Sequence, residues 1–236
     1  MTMIEFLSPI MDTALLSHYG PRMLEGLLTT AKLVVISTSF GMVLGLLLAL
    51  GRTSRQSTLQ WMCRSYIYFF RGSPLLAQLF LLYYGLGSFR PFWQDVGLWW
   101  FFREPWYCTL LAFTLNSAAY QAEIFRGSLL AVAKGQYEAC SVLGLSRRTA
   151  FFRVVLPQVL LVALGPLGNE LILCVKASAI ASLVTIFDLM GVAKLAFSRS
   201  FDFQVYLWVA VLYLIIVEVV RRVLKQVDRH LSRHLR

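Results

Sequence analysis

The chain has 236 residues, of which 58% are hydrophobic and only 14% charged. Its mean hydropathy of +0.67 lies outside the range of soluble domains and inside that of membrane proteins. The net charge of +10 does not argue for nucleic acid, because basic residues in a membrane protein mark cytoplasmic loops; no nucleic-acid partner is expected.

In chain order, the first twenty residues carry Glu5 and Asp12 but neither Lys nor Arg. A cleavable secretory signal needs a basic start and a clear apolar core, so none is expected. Apolar runs approaching the ~20 residues of a bilayer crossing then predict five spans, at about 24–50, 66–86, 106–125, 156–175 and 204–220. The stretch 177–189 is apolar but too short to cross and reads as a re-entrant or interfacial helix.

Charge sets the direction. Arg52, Arg55 and Arg64 lie between spans one and two with no acid. Arg126, Lys134, Arg147, Arg148 and Arg153 lie between three and four, against Glu138. Arg221, Arg222, Lys225, Arg229, Arg233 and Arg236 follow span five, against Asp228, and His230 to Arg236 form a basic end that anchors topology or meets anionic headgroups. The alternate loops are mixed or acidic, including Glu25, Asp95, Glu104, Asp188 and Asp202. This is the positive-inside pattern, with the N-terminus outside and the C-terminus inside. Phe89, Phe92, Trp93, Trp99, Trp100 and Trp106 crowd one outer loop, as an interfacial belt does.

Between spans three and four, residues 136–148 lack a span's apolar run. Tyr137, Cys140, Val142, Leu143 and Leu145 give a short helix one apolar side. Gly144 ends or bends it, since Gly takes positive φ freely. Ser146 suits an N-cap for the next segment, and Pro157 suits the first turn of span four.

Ionisable groups within spans are costly and seldom face lipid. Lys32 is placed to snorkel. Glu218 precedes Arg222 by four residues, the spacing of a helical ion pair. Arg71 anchors at the interface or contacts neighbouring helices. Glu170 lies roughly 20 Å beyond Pro157 along a helix rising ~1.5 Å per residue, and follows Gly165-Pro166-Leu167-Gly168, which predicts a break or kink. Transport sites are built at discontinuous helices near the midplane, and a carboxylate there can pair with a guanidinium or ammonium group. Asn116, Tyr120 and Glu123 share one helical face, lining a path or tying helices together. Gln78 offers a ligand contact or an interhelical hydrogen bond.

The series Glu138, Ala139, Cys140, Gly144, Val154, Leu156, Pro157 resembles the EAA loop of permeases of bacterial ABC importers, with Cys140 replacing the second Ala. The resemblance extends from about residue 24 to the tail. Residues 71–78, 115–120, 123–127, 156–158 and 168–170 resemble the branch carrying polar and basic amino acids (histidine, arginine, glutamine, opines). The M-type subunit of arginine and histidine systems is most similar, through Glu104-Pro105-Trp106, Cys108 and 115–120.

The resemblance implies a type I importer permease fold in the bacterial inner membrane. It implies that Glu138, Ala139 and Gly144 couple to an ATPase, and that Glu170 and Asn116 contact substrate. The implied partners are two copies of an ATP-binding subunit, a periplasmic amino-acid-binding protein, and a second permease chain, identical or related. No G-x-x-x-x-G-K-[ST] occurs in the sequence, so the chain has no P-loop and is not expected to be an enzyme. No catalytic residue, metal ligand or cofactor is expected; Cys63, Cys108, Cys140 and Cys174 are scattered and read as small packing residues.

The expected product is therefore an all-α membrane protein with one permease domain, 1–236, a core of about 24–223 and a coupling loop at 136–157. Its expected role is ATP-driven import of a polar, basic amino acid. The competing reading is a proton-coupled secondary carrier using Glu123 or Glu170 as a relay. A membrane enzyme finds no supporting constellation, since His18, His230 and His234 lie at the two ends.

Overall fold

A computed structural model describes residues 13–231, all of whose regular elements are helical. Glu5, Asp12, Arg233, His234 and Arg236, weighed above, lie outside the described residues. The helices are α1 (Thr13–Arg52), α2 (Ser57–Gly72), α3 (Leu75–Phe80), α4 (Arg90–Asp95), α5 (Trp99–Phe102), α6 (Pro105–Ala131), α7 (Lys134–Val142), α8 (Arg147–Ala150), α9 (Leu156–Ala177), α10 (Leu189–Ser200) and α11 (Gln204–Leu231). The runs 17–52 and 147–184 are long and apolar enough to cross a bilayer, at 36 and 38 residues. The third and fifth predicted spans coincide with α6 and α11, which extend beyond them and carry more charge (Glu123 and Arg126; Glu218, Arg221 and Arg222).

The structure corrects three expectations. The second span is not one helix. It breaks at Ser73–Pro74, where Ser73 is extended (φ −106°, ψ 148°). A residue before proline is driven out of the helical region by the ring Cδ. The Ser73 N–H and Oγ both bond back to the Phe69 carbonyl, at 3.0 and 2.7 Å, closing α2. The chain restarts as α3 and continues through a π turn, Leu81–Gly85.

The break expected at Gly165–Gly168 does not occur: α9 runs through Pro166. Gly165 has no Cβ to oppose the proline ring, which eases the helix through Pro166. Leu156, which has one, also stays helical before Pro157 (φ −58°, ψ −43°), where the preceding turn widens. The stretch 177–189 is not a separate helix either. Ser178–Val184 continues α9 as a 3₁₀ run that ends at Thr185 in the left-handed region (φ 63°).

The chain divides into two compact units, and α1, α6, α9 and α11 contribute a segment to each. The first comprises residues up to Ser37, Leu76–Phe113 and Leu173–Val219. Its core joins Tyr19 and Met23 of α1 to Leu189, Val192, Ala193 and Ala196 of α10 and Val205 and Val209 of α11. Asp188 caps α10 by accepting from the Gly191 N–H at 2.9 Å, and the Thr30 hydroxyl accepts from the Leu189 N–H at 3.1 Å. In the same unit Trp93 stacks on Phe102 at 4.0 Å and donates to the Leu86 carbonyl at 2.7 Å, while Phe89, Phe92 and Trp100 stay exposed.

The second unit comprises Thr38–Leu75, Thr114–Ile172 and the chain from Val220. Its core is Ala49, Phe125, Val132, Val155, Val159 and Ala163. Gly41 and Gly45 of α1 meet Ala118, Gln121 and Ala122 of α6; a Cβ on Gly45 would stand 3.0 Å from the Ala118 carbonyl oxygen. Small residues four apart allow this close helix approach. All four cysteines are free and buried.

Candidate functional site

The loop predicted as helix, glycine corner and helix folds in that order. At the end of α7 the Gly144 N–H donates to the Ser141 carbonyl at 3.1 Å and the Leu145 N–H to the Cys140 carbonyl at 3.0 Å. With Gly144 at φ +66°, this is a Schellman cap, which satisfies the last carbonyls of the helix. Ser146 then caps α8, its hydroxyl accepting from the Thr149 N–H at 3.2 Å.

A π turn, Phe151–Val155, leads directly into α9, with the Leu156 N–H bonded to the Phe151 carbonyl. The wider turn accommodates Pro157, which has no N–H to donate. The apolar side expected of α7 is only partly packed within this unit. Cys140 is buried, but Val142 and Leu143 are 87% and 74% exposed, and Glu138 and Ala139 are also on the surface.

The polar stripe of α6 faces the ends of α1 and α2. The Asn116 amide donates to the Phe70 carbonyl at 2.9 Å, and the Tyr66 hydroxyl donates to the Leu115 carbonyl at 2.8 Å. The Arg71 guanidinium lies 5.1 Å from the Tyr120 ring centre, a cation–π contact. Arg71 also acts electrostatically on both Glu123 and Glu170. Glu170 is buried on α9. Gln78, buried on α3, belongs to the first unit.

One cluster is only half signalled in the sequence, by the i,i+3 spacing of Glu123 and Arg126. Glu123 accepts from Arg52 Nη1 at 2.8 Å and from Arg126 Nε at 2.9 Å, with Arg126 Nη2 also 2.8 Å away. In the sequence Arg52 reads only as an orientation charge, and Arg126 as one that also belongs to the 123–127 block. In the fold Arg52 ties the end of α1 to α6 through the Glu123 carboxylate, 71 residues away, which Arg126 of the same helix also grips.

These features define a helical membrane protein with a short capped helix exposed between two spans. The family model for the binding-protein-dependent transport system inner membrane component matches residues 41–233, and the chain belongs to that family. It is 38% identical over 227 residues to the nopaline transport system permease protein NocM of Agrobacterium fabrum, covering 96% of this chain and 94% of that one. It is 34% identical over 212 residues to the arginine ABC transporter permease protein ArtM of Escherichia coli, covering 90% and 95%.

Among solved structures, an amino acid ABC transporter with histidines superposes with a TM-score of 0.79 at 32% identity, covering 91% of this chain and 96% of that one. The MetNI methionine ABC transporter shares the fold, with a TM-score of 0.73 at 21% identity and coverage of 90% and 97%. The chain is thus an inner-membrane permease subunit of the amino-acid and opine ABC importers. Its family works with an ATP-binding subunit and a substrate-binding protein, and the permease subunit is not itself catalytic. This membership excludes the proton-coupled carrier.

Proposed function

We propose that the chain carries a basic amino acid or a related opine inward, paired with a second permease chain and two ATP-binding subunits that hydrolyse ATP. The N-terminus lies outside and the C-terminus inside, as the charge of alternate loops requires, and residues 1–236 act as one permease domain. Exposed α7 docks on the ATP-binding subunit through Glu138, Ala139 and the Gly144 corner. Asn116 and Glu170 contact substrate; Gln78, in the first unit, offers a buried amide able to donate and accept.

The observation that carries the substrate class is the buried carboxylate of Glu170. A buried acid is costly unless paired. Arg71 acts on Glu170 only from a distance, with no ion pair to it among the described residues, and a substrate guanidinium can pair with the carboxylate bidentately. The relatives named for nopaline and arginine support the same class.

The test is ATP hydrolysis by the reconstituted complex, comparing wild type with Glu170→Gln and arginine with glutamine. Arginine should stimulate the wild type, and the substitution should abolish that response. Equal stimulation of both proteins would make Glu170 a packing residue.

A further inference from the structure

The arginines of the Glu123 clamp also face a cavity. Arg52 and Arg126, together with Arg64, line a space of about 530 Å³ in the second unit. None of its lining residues is acidic, and the nearby carboxylate of Glu123 is already engaged by two guanidiniums. Each guanidinium has five N–H donors, so the clamp leaves donors unused on both arginines. Arg64 forms no ion pair among the described residues. Ser57 adds a hydroxyl to the same wall. Planar guanidiniums in such a group match the oxygens of a phosphate better than those of any neutral ligand.

The wall is not polar throughout. Trp61 and Leu130 also line the cavity, and both are 68% exposed. Along α2, Met62, Tyr68 and Phe69 are exposed as well. In a chain that spans the membrane, such surface meets acyl chains. The ligand that fits both halves carries a phosphate and an apolar tail.

We propose that this cavity binds the phosphate headgroup of an anionic phospholipid. Basic pockets between spans take such headgroups, and here the pocket is built on the clamp that joins α1 to α6. The assignment rests on the membrane reading above; the proposed orientation puts the lipid in the inner leaflet. A soluble phosphate ester shares the headgroup chemistry, so the experiment separates the two sources.

The assembled transporter would be placed in nanodiscs of phosphatidylglycerol and phosphatidylcholine, and retained lipid read by native mass spectrometry. Wild type should retain phosphatidylglycerol selectively. Arg64→Ala should lower that retention about fivefold, the effect of one basic residue near an anionic surface, and Arg64→Lys should restore most of it. Lys225→Ala, which removes an exposed charge outside this cavity, should retain lipid as wild type does.

Equal retention by wild type and Arg64→Ala would overturn the proposal, as would equal losses in Arg64→Ala and Lys225→Ala. Displacement of the lipid by soluble glycerol phosphate at comparable concentration would overturn the lipid source. Loss of the ATP-binding subunit from Arg64→Ala would assign the residue to a protein interface and overturn the site. Retention is read whichever way the chain is inserted, so failure here leaves the transport reading standing.

Discussion

Replacing Glu123 by Gln keeps the side-chain shape and removes the charge that two arginines share. The side chains of Glu123, Arg52 and Arg126 are 17%, 21% and 31% exposed, between the surface and the interior. Surface ion pairs contribute about 0.2–1 kcal/mol, whereas unpairing a buried charge costs about 3–5 kcal/mol. The intermediate exposure places Glu123→Gln at about 1–3 kcal/mol.

Arg52→Gln should cost less, because Glu123 keeps Arg126. The double substitution should cost less than the sum of the two, since both remove the same contact. The assay is thermal inactivation of the detergent-solubilised complex, read as the shift in midpoint for each variant. A Glu123→Gln protein as stable as wild type, or strict additivity of the two changes, would refute the clamp.

Three further outcomes follow from local geometry. Gly144→Ala meets no neighbouring atom within 4 Å, so its cost is the left-handed backbone alone, about 1–2 kcal/mol; it should weaken pull-down of the ATP-binding subunit without unfolding the spans, and an unchanged pull-down would count against the Schellman corner as a docking feature. Gly45→Val should separate α1 from α6, since even a Cβ would stand 3.0 Å from the Ala118 carbonyl; loss of folded protein in size-exclusion chromatography checks it. Ser146→Ala removes the cap on α8 and should cost about 1 kcal/mol, read as faster amide exchange at Thr149.

The parts legible in the sequence are those set by local backbone rules. Gly144 announces a positive φ and Ser146 a cap, and both stand where their chemistry places them. Proline is harder to read, because its effect depends on the residue before it. Ser73 leaves the helix before Pro74, Gly165 stays helical before Pro166 without a Cβ to clash, and Leu156 stays helical before Pro157 at the end of a widened turn. The Arg52 half of the Glu123 clamp is hidden for another reason: that arginine answers equally well to the positive-inside rule, and nothing local pairs residues 71 apart. The exposure of Val142 and Leu143 is likewise unreadable, since an apolar side predicts burial without naming the chain that supplies it.

The most direct test of the central claim is uptake of labelled arginine into proteoliposomes holding this permease, its partner chain, the ATP-binding subunit and the binding protein. The account predicts uptake that requires ATP on the side of the ATP-binding subunit and persists when a protonophore collapses the proton gradient. Uptake that proceeds without ATP and stops with the protonophore would contradict it.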